Sequence, residues 1–136
     1  MADKVDTHGI RVAVYGSLRN GLSNHVCLSE YGAELLGTHI MPEDSNYRMV
    51  SLGAFPAVFP ADKESATPIT IEVYRVTDEC LLILDSLEGH PDWYKREKVS
   101  TPWKKAWMYV MPAETYDDHT PIETGDWVDH YTAQYA

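Results

Sequence analysis

A short loop bracketed by glycines, residues 15–21 (Tyr-Gly-Ser-Leu-Arg-Asn-Gly), constrains the fold of this chain more than any other stretch. It follows residues 10–15, where β-branched and aromatic side chains alternate and predict a β-strand. After the loop, Ser23 or Asn24 could cap a helix that ends at Gly32. A loop between the end of a strand and the start of a helix can present successive backbone N–H groups to an anion.

The rest of the chain predicts mostly strands. Extended segments are predicted over residues 33–40, 47–52, 69–76, 93–101 and 106–111. Residues 53–60 carry two prolines among apolar residues, so they suit an extended segment that is not an ordinary central strand. This segment could form a wall of a pocket, or a surface loop held on the core by Phe55 and Phe59.

A second helix is predicted after the strand over residues 69–76. Thr77 or Asp78 would cap it, apolar residues recur at helical spacing, and Gly89 would end it. Glu88 therefore lies at its C-terminal end, where the helix dipole disfavours a negative charge. If Glu88 is partly buried its pKa would rise, which suits a group that takes and returns a proton near neutral pH. The alternative is a solvated surface glutamate.

Length and composition predict one compact domain over residues 10–136, with a flexible leader over residues 1–9 and a C-terminal arm from about residue 112. The arm could pack through Trp127, Tyr131 or Tyr135. With 44% hydrophobic and 24% charged residues, the chain resembles an ordinary globular protein.

The charge balance argues against several classes of partner. A formal net charge of -10 disfavours binding to nucleic acid phosphates and to anionic membranes. No signal peptide or membrane-spanning apolar run is visible, so a cytoplasmic protein is expected. Cys27 and Cys80 are too few for a disulfide scaffold, and six scattered histidines lack the spacing of a metal site.

Two separated motifs resemble the γ-glutamylcyclotransferase-like superfamily, in particular its AIG2-like, γ-glutamylamine cyclotransferase branch. Residues 15–21 with Asn24 are similar to its Tyr-Gly-Ser/Thr-Leu-Arg/Lys-x-Gly signature. Residues 84–89, followed by Tyr94 and Arg96, are similar to its Leu-Asp-x-Leu-Glu-Gly and Tyr-x-Arg signature. Residues 55–58 look like its Pro-Ala-Val segment, which is a weaker match.

The resemblance implies a mixed α+β fold, a small twisted barrel-like β-sheet flanked by helices. It implies an enzyme, of transferase or lyase type, that releases 5-oxoproline and a free amine from a small γ-glutamyl substrate. Glu88 would be the general acid/base, and the loop formed by Tyr15, Gly16, Ser17 and Leu18 would bind the glutamyl head through backbone N–H groups. No metal or cofactor would be required.

Several roles stay open at this stage. Tyr94 could donate a hydrogen bond to the substrate or pack in the core, and Arg96 is expected to pair with an acidic residue. The aromatic tail could close one side of the pocket or cover the core. A non-catalytic relative that binds a small amino-acid-like ligand or a protein is the alternative function. Hydrolysis through Ser17 lacks a visible base.

Overall fold

The structure is a computed structural model that describes residues 10–16, 18–19, 26–52, 56–90, 92, 94–111 and 120–130. The strands are β1 Ile10–Val14, β2 Glu34–Met41, β3 Tyr47–Ser51, β4 Pro56–Pro60, β5 Ile69–Val76, β6 Lys95–Thr101, β7 Lys104–Val110 and β8 Thr120–Pro121. The α-helices are α1 Val26–Ser29 and α2 Asp78–Glu88, with a 3-10 turn at Glu43–Ser45 and a helical turn over residues 127–130.

The strands form two sheets. The larger sheet has the order β2-β5-β1-β7-β6 and the smaller one the order β4-β3-β8. β1 pairs with β5 in antiparallel and with β7 in parallel orientation, so the loop after β1 begins at the middle of the larger sheet. This is a mixed α+β fold, as the resemblance implied.

Alternating side chains place a core on each face of the larger sheet. On β1, Val12 and Val14 belong to one buried cluster, which α2 covers with Cys80, Leu81 and Leu84. The other buried cluster lies between the two sheets; it includes Ala13, Ile71, Val73 and Met108 from the larger sheet and Met49 and Val58 from the smaller one. The predicted alternation along β1 is therefore confirmed.

Contacts between the ends of the strands bring the sheets together. The N–H of Met111, directly after β7, donates to the carbonyl of Val58 in β4 at 2.9 Å. Trp103, in the turn between β6 and β7, lies against Gly37 of β2, so opposite edges of the larger sheet meet. The result is the barrel-like arrangement that was expected.

Three details differ from the expectations. α1 ends at Ser29, although Gly32 does have the positive φ of 71° that suits a stop. β8 was not predicted, because two residues that include a proline give no periodic signal. The apolar residues that recur at helical spacing along α2 include Leu87, which is exposed, whereas Cys80, Leu81 and Leu84 are buried as the spacing predicts. No helix of the described residues is long and apolar enough to cross a bilayer.

Candidate active site

Glu88 is the last residue of α2, and the sequence around it fixes that position. Thr77 is the N-cap, and its Oγ1 accepts a hydrogen bond from the Cys80 N–H at 3.1 Å. Gly89 ends the helix with a φ of 67°, a conformation that glycine adopts without strain. Both ends of the helix are therefore set by local residues, as predicted.

The Glu88 side chain is only partly exposed, and its surroundings change its acidity. Burial raises the pKa of its carboxyl from 4.5 to about 7. At the C-terminal end of a helix, the dipole also gives the charged form no support. A carboxyl group with this pKa exists in both protonation states near neutral pH, so it can accept a proton and return it.

The charge of Glu88 contributes to the raised pKa values of two tyrosines, Tyr15 and Tyr109. The phenol of Tyr15, directly after β1, has a pKa raised first by burial and then by the neighbouring Tyr94 and Glu88 groups. Burial and Asp85 are the main causes of the raised pKa of Tyr109 in β7, and Glu88 adds to them. Glu88 at the end of α2 is therefore close enough to Tyr15 and Tyr109 for their charges to interact.

Pro56 of β4 contacts both motifs. The hydroxyl of Tyr94 donates to the Pro56 carbonyl at 2.9 Å. A Cβ added to Gly16 would lie 3.0 Å from Cγ of the Pro56 ring, so a glycine lets the loop backbone lie against this ring. The weakly matching Pro-Ala-Val segment thus connects the loop after β1 to the segment after α2.

The buried tyrosines have structural partners. The Tyr15 hydroxyl donates to the Tyr109 carbonyl at 2.6 Å and also takes part in a hydrogen bond with the Val58 backbone. Tyr94 is buried, and its hydroxyl hydrogen is used by Pro56. The predicted role of Tyr94 toward a substrate stays a prediction.

An ion pair between Arg96 and Asp85 holds the C-terminal part of α2 against the larger sheet. Arg96 of β6 donates to both carboxylate oxygens of Asp85, at 2.7 and 2.9 Å. The Tyr109 hydroxyl donates to the same carboxylate at 2.6 Å. Arg96 therefore pairs with an acidic residue, as expected. Its partner lies one helical turn before Glu88, a neighbour that spacing alone did not identify.

The loop after β1 is described in part. The Arg19 N–H donates to the Gly16 carbonyl at 3.0 Å and closes a turn. Leu18 and Arg19 are buried, and the Arg19 guanidinium contacts Glu72 and Asp126. Ser17, together with residues 20–25, lies outside the described residues, so the predicted anion-binding amides at Ser17 stay a prediction.

The remaining predicted features are placed as follows. Trp127 of the C-terminal arm is buried, and Phe59 packs in the core. Tyr131, Tyr135 and Phe55 lie outside the described residues. Within the described part of the chain there is no group of three or more His, Cys, Asp or Glu side chains that could hold a metal ion.

Comparisons with known proteins identify the family of the chain. The family model for gamma-glutamyl cyclotransferase, AIG2-like, matches residues 12–129. A Vibrio cholerae relative named for gamma-glutamylcyclotransferase is 39% identical over 117 residues, covering 85% of this chain and 93% of its own. The Escherichia coli gamma-glutamylcyclotransferase family protein YtfP is 36% identical over 120 residues, covering 88% and 97%.

Solved structures share the fold. The solution structure of Escherichia coli ytfP superposes with a TM-score of 0.65 at 35% identity, over 90% of this chain and 99% of that one. An uncharacterised protein of Pyrococcus horikoshii superposes with a TM-score of 0.75 at 25% identity, over 93% and 96%. The chain belongs to the AIG2-like gamma-glutamyl cyclotransferase family.

Proposed function

We propose that this protein is a γ-glutamyl cyclotransferase, which converts a γ-glutamyl amine or γ-glutamyl amino acid to 5-oxoproline and a free amine. The observation that supports this most directly is the Glu88 carboxyl, whose pKa is raised to about 7 and whose charge interacts with Tyr15, directly after β1. Such a group suits a reaction in which one proton is taken and one is returned.

The reaction is an intramolecular acyl transfer. Ionised Glu88 removes a proton from the substrate α-ammonium, and the free amine attacks the γ-carbonyl carbon. A carbon–nitrogen bond forms, the five-membered ring closes, and the carbonyl oxygen gains negative charge. Protonated Glu88 then gives its proton to the original amide nitrogen, and the carbonyl re-forms as the bond from that nitrogen to the γ-carbon breaks. The second proton of the attacking nitrogen passes to the released amine, which leaves as an ammonium ion. Glu88 returns to its ionised form, so the cycle needs no metal, cofactor or nucleophilic side chain.

The loop after β1 has a separate role in this proposal. Backbone N–H groups of Gly16, Ser17 and Leu18 would hold the substrate α-carboxylate, because peptide N–H groups around a turn can bind an anion. Holding the glutamyl head in the cyclising conformation would supply part of the roughly 7–11 kcal/mol available from pre-organised geometry. Proton transfer through Glu88 would add about 10²–10⁴-fold in rate.

The test measures 5-oxoproline and amine release from a panel of γ-glutamyl amines, γ-glutamyl amino acids and glutathione. We expect turnover of at least one, and we expect Glu88→Gln to lower kcat by at least about 10²-fold, because the amide cannot carry the proton. Glu79→Gln is the matched control, since Glu79 is an exposed glutamate in the first turn of the same helix.

Other results would separate the alternatives. Full turnover by Glu88→Gln would remove the proposed mechanism. Binding of a γ-glutamyl compound without turnover by the unaltered protein would support the non-catalytic ligand-binding alternative.

A further inference from the structure

A buried arginine connects the substrate loop to two distant parts of the chain. Arg19 lies three residues after Gly16, and its guanidinium side chain is 9% exposed. Its Nε lies 3.1 Å from Glu72 Oε2, and its Nη1 lies 2.8 Å from Asp126 Oδ1. A planar guanidinium can bridge two carboxylates in this way because its N–H groups point in fixed directions.

The first partner of Arg19 belongs to the rigid centre of the fold. Glu72 lies in β5, which is paired on both sides, and its register partner on β1 is Val14. The Tyr74 hydroxyl donates to the other Glu72 oxygen at 2.9 Å. Arg19 is therefore fixed to the strand next to the one from which its own loop emerges.

The second partner lies in the C-terminal segment 120–130, which is attached to both sheets. The Ile122 N–H donates to Met49 of β3, and the Thr70 N–H of β5 donates to Gly125, both at 2.8 Å. The ring of Trp127 is buried beside Asp126 in the sequence. Gly125 leaves no room for a side chain, since an added Cβ would lie 1.6 Å from the Pro68 carbonyl oxygen. Asp126 is therefore held in place independently of Arg19.

From this arrangement we infer that Arg19 and Asp126 are positioning residues, through which the C-terminal segment 120–130 holds the loop after β1 in its substrate-binding conformation. The inference deepens the proposed function and rests on it only for the kinetic test. It assigns a role to the C-terminal arm, which would do more than cover the core.

The charges of Arg19, Glu72 and Asp126 determine which variant tests the inference without disturbing the other ion pair. One arginine faces two carboxylates, so removing Arg19 would leave the buried charge of Glu72 and the partly buried charge of Asp126 without their cation. Asp126→Asn leaves the Arg19–Glu72 pair complete and keeps the size of the side chain. Asp129→Asn is the matched control, because the exposed Asp129 lies on the same segment and contacts Asp126 only through its backbone N–H.

The first measurement does not depend on activity. Amide hydrogen exchange at Arg19, whose N–H closes the turn on Gly16, should become about tenfold faster in Asp126→Asn, because the turn opens more often when its anchor is weakened. Asp129→Asn should exchange like the unaltered protein. Unchanged exchange at Arg19 in Asp126→Asn would overturn the inference.

The second measurement uses the 5-oxoproline assay. Asp126→Asn should raise KM about tenfold and change kcat less than about twofold, because a poorly held loop loses binding that ground state and transition state share. A role limited to stability would lower Tm and leave KM unchanged, and that result would also overturn the inference. Absence of turnover in the unaltered protein would count against the proposed function alone, and hydrogen exchange would still decide the role of Asp126.

Discussion

Burial of a carboxyl group at the end of α2 has a cost that depends on pH. Each pKa unit corresponds to about 1.4 kcal/mol. Raising the pKa of Glu88 from 4.5 to about 7 therefore means that ionised Glu88 lowers the free energy of unfolding by at most about 3 kcal/mol. Since the folded state holds this proton more tightly than the unfolded state, the free energy of unfolding falls as the pH rises from 4.5 to about 7. The protein thus loses stability by keeping an ionised glutamate in this position.

The Glu88→Gln variant should remove this pH dependence. Its free energy of unfolding should exceed that of the unaltered protein by about 1–3 kcal/mol at pH 8, because the amide is never charged. At pH 4 the difference should largely disappear, since Glu88 is then protonated in the folded state. Urea unfolding of both proteins at the two pH values measures this. Equal stability at pH 8 would show that Glu88 is fully solvated.

At the residue scale, the sequence predicts groups whose environment is local. The position of Glu88 at the end of α2 could be predicted because Gly89 follows it, whereas its catalytic role is implied by the family resemblance and stays a prediction. The partners of Arg19 could not be identified, because Glu72 and Asp126 lie 53 and 107 positions away in the chain. No periodic pattern connects residues at such separations.

At the scale of elements, helix α2 is held to the larger sheet near its C-terminal end. Burial alone would raise the pKa of Asp85, but hydrogen bonds from Arg96 and Tyr109, together with the Arg96 charge, outweigh it and lower the pKa below 3.8. The folded state therefore favours the ionised form of Asp85. This contribution to stability is present above pH 3.8 and is lost as the pH falls below it.

The Asp85→Asn variant should lower the free energy of unfolding at pH 7 by about 1–3 kcal/mol, because Arg96 loses a charged hydrogen-bond partner. The difference should shrink as the pH falls below 3.8. Chemical unfolding at pH 7 and pH 3 measures this. Glu34→Gln is the control: it breaks an exposed pair with Arg75, which should contribute about 0–1 kcal/mol. An Asp85 effect no larger than that of Glu34 would contradict the role of this pair.

Elements with strong local signals were predicted well. The bounds of β5 match the prediction because its residues alternate regularly, and α2 matches because Thr77 and Gly89 mark its ends. The pairing of β1 with β7 was not predictable, since alternation shows which side chains face a core but not which strand lies alongside. The short β8 depends on its contact with β3, which only the folded chain supplies.

At the scale of the whole molecule, the larger sheet closes where Trp103 meets Gly37. A Cβ at Gly37 would lie 2.4 Å from Cζ2 of the Trp103 ring, which is far closer than side chains pack. The register of β2 against β5 also shifts between Leu35 and Gly37. A glycine in a strand is expected where another group approaches the backbone closely.

Gly37→Ala should therefore destabilise the protein by about 1–3 kcal/mol, because the indole ring has to move. The same substitution should cost clearly less in a Trp103→Ala background, where the ring is absent. Thermal or urea unfolding of the four proteins in this double-mutant cycle measures the coupling. Equal costs in both backgrounds would show that the two residues do not interact.

The place of Pro56 has a consequence for heat resistance. This one residue contacts both Gly16 and Tyr94, and it lies in β4, at the edge of the smaller sheet. Although β4 is an edge strand, Pro56 to Phe59 are buried and Val58 accepts a hydrogen bond from Met111, so this strand should open only when the fold itself opens. The two halves of the proposed site would therefore separate together on global melting, and any loss of activity on warming would follow the loss of folded protein.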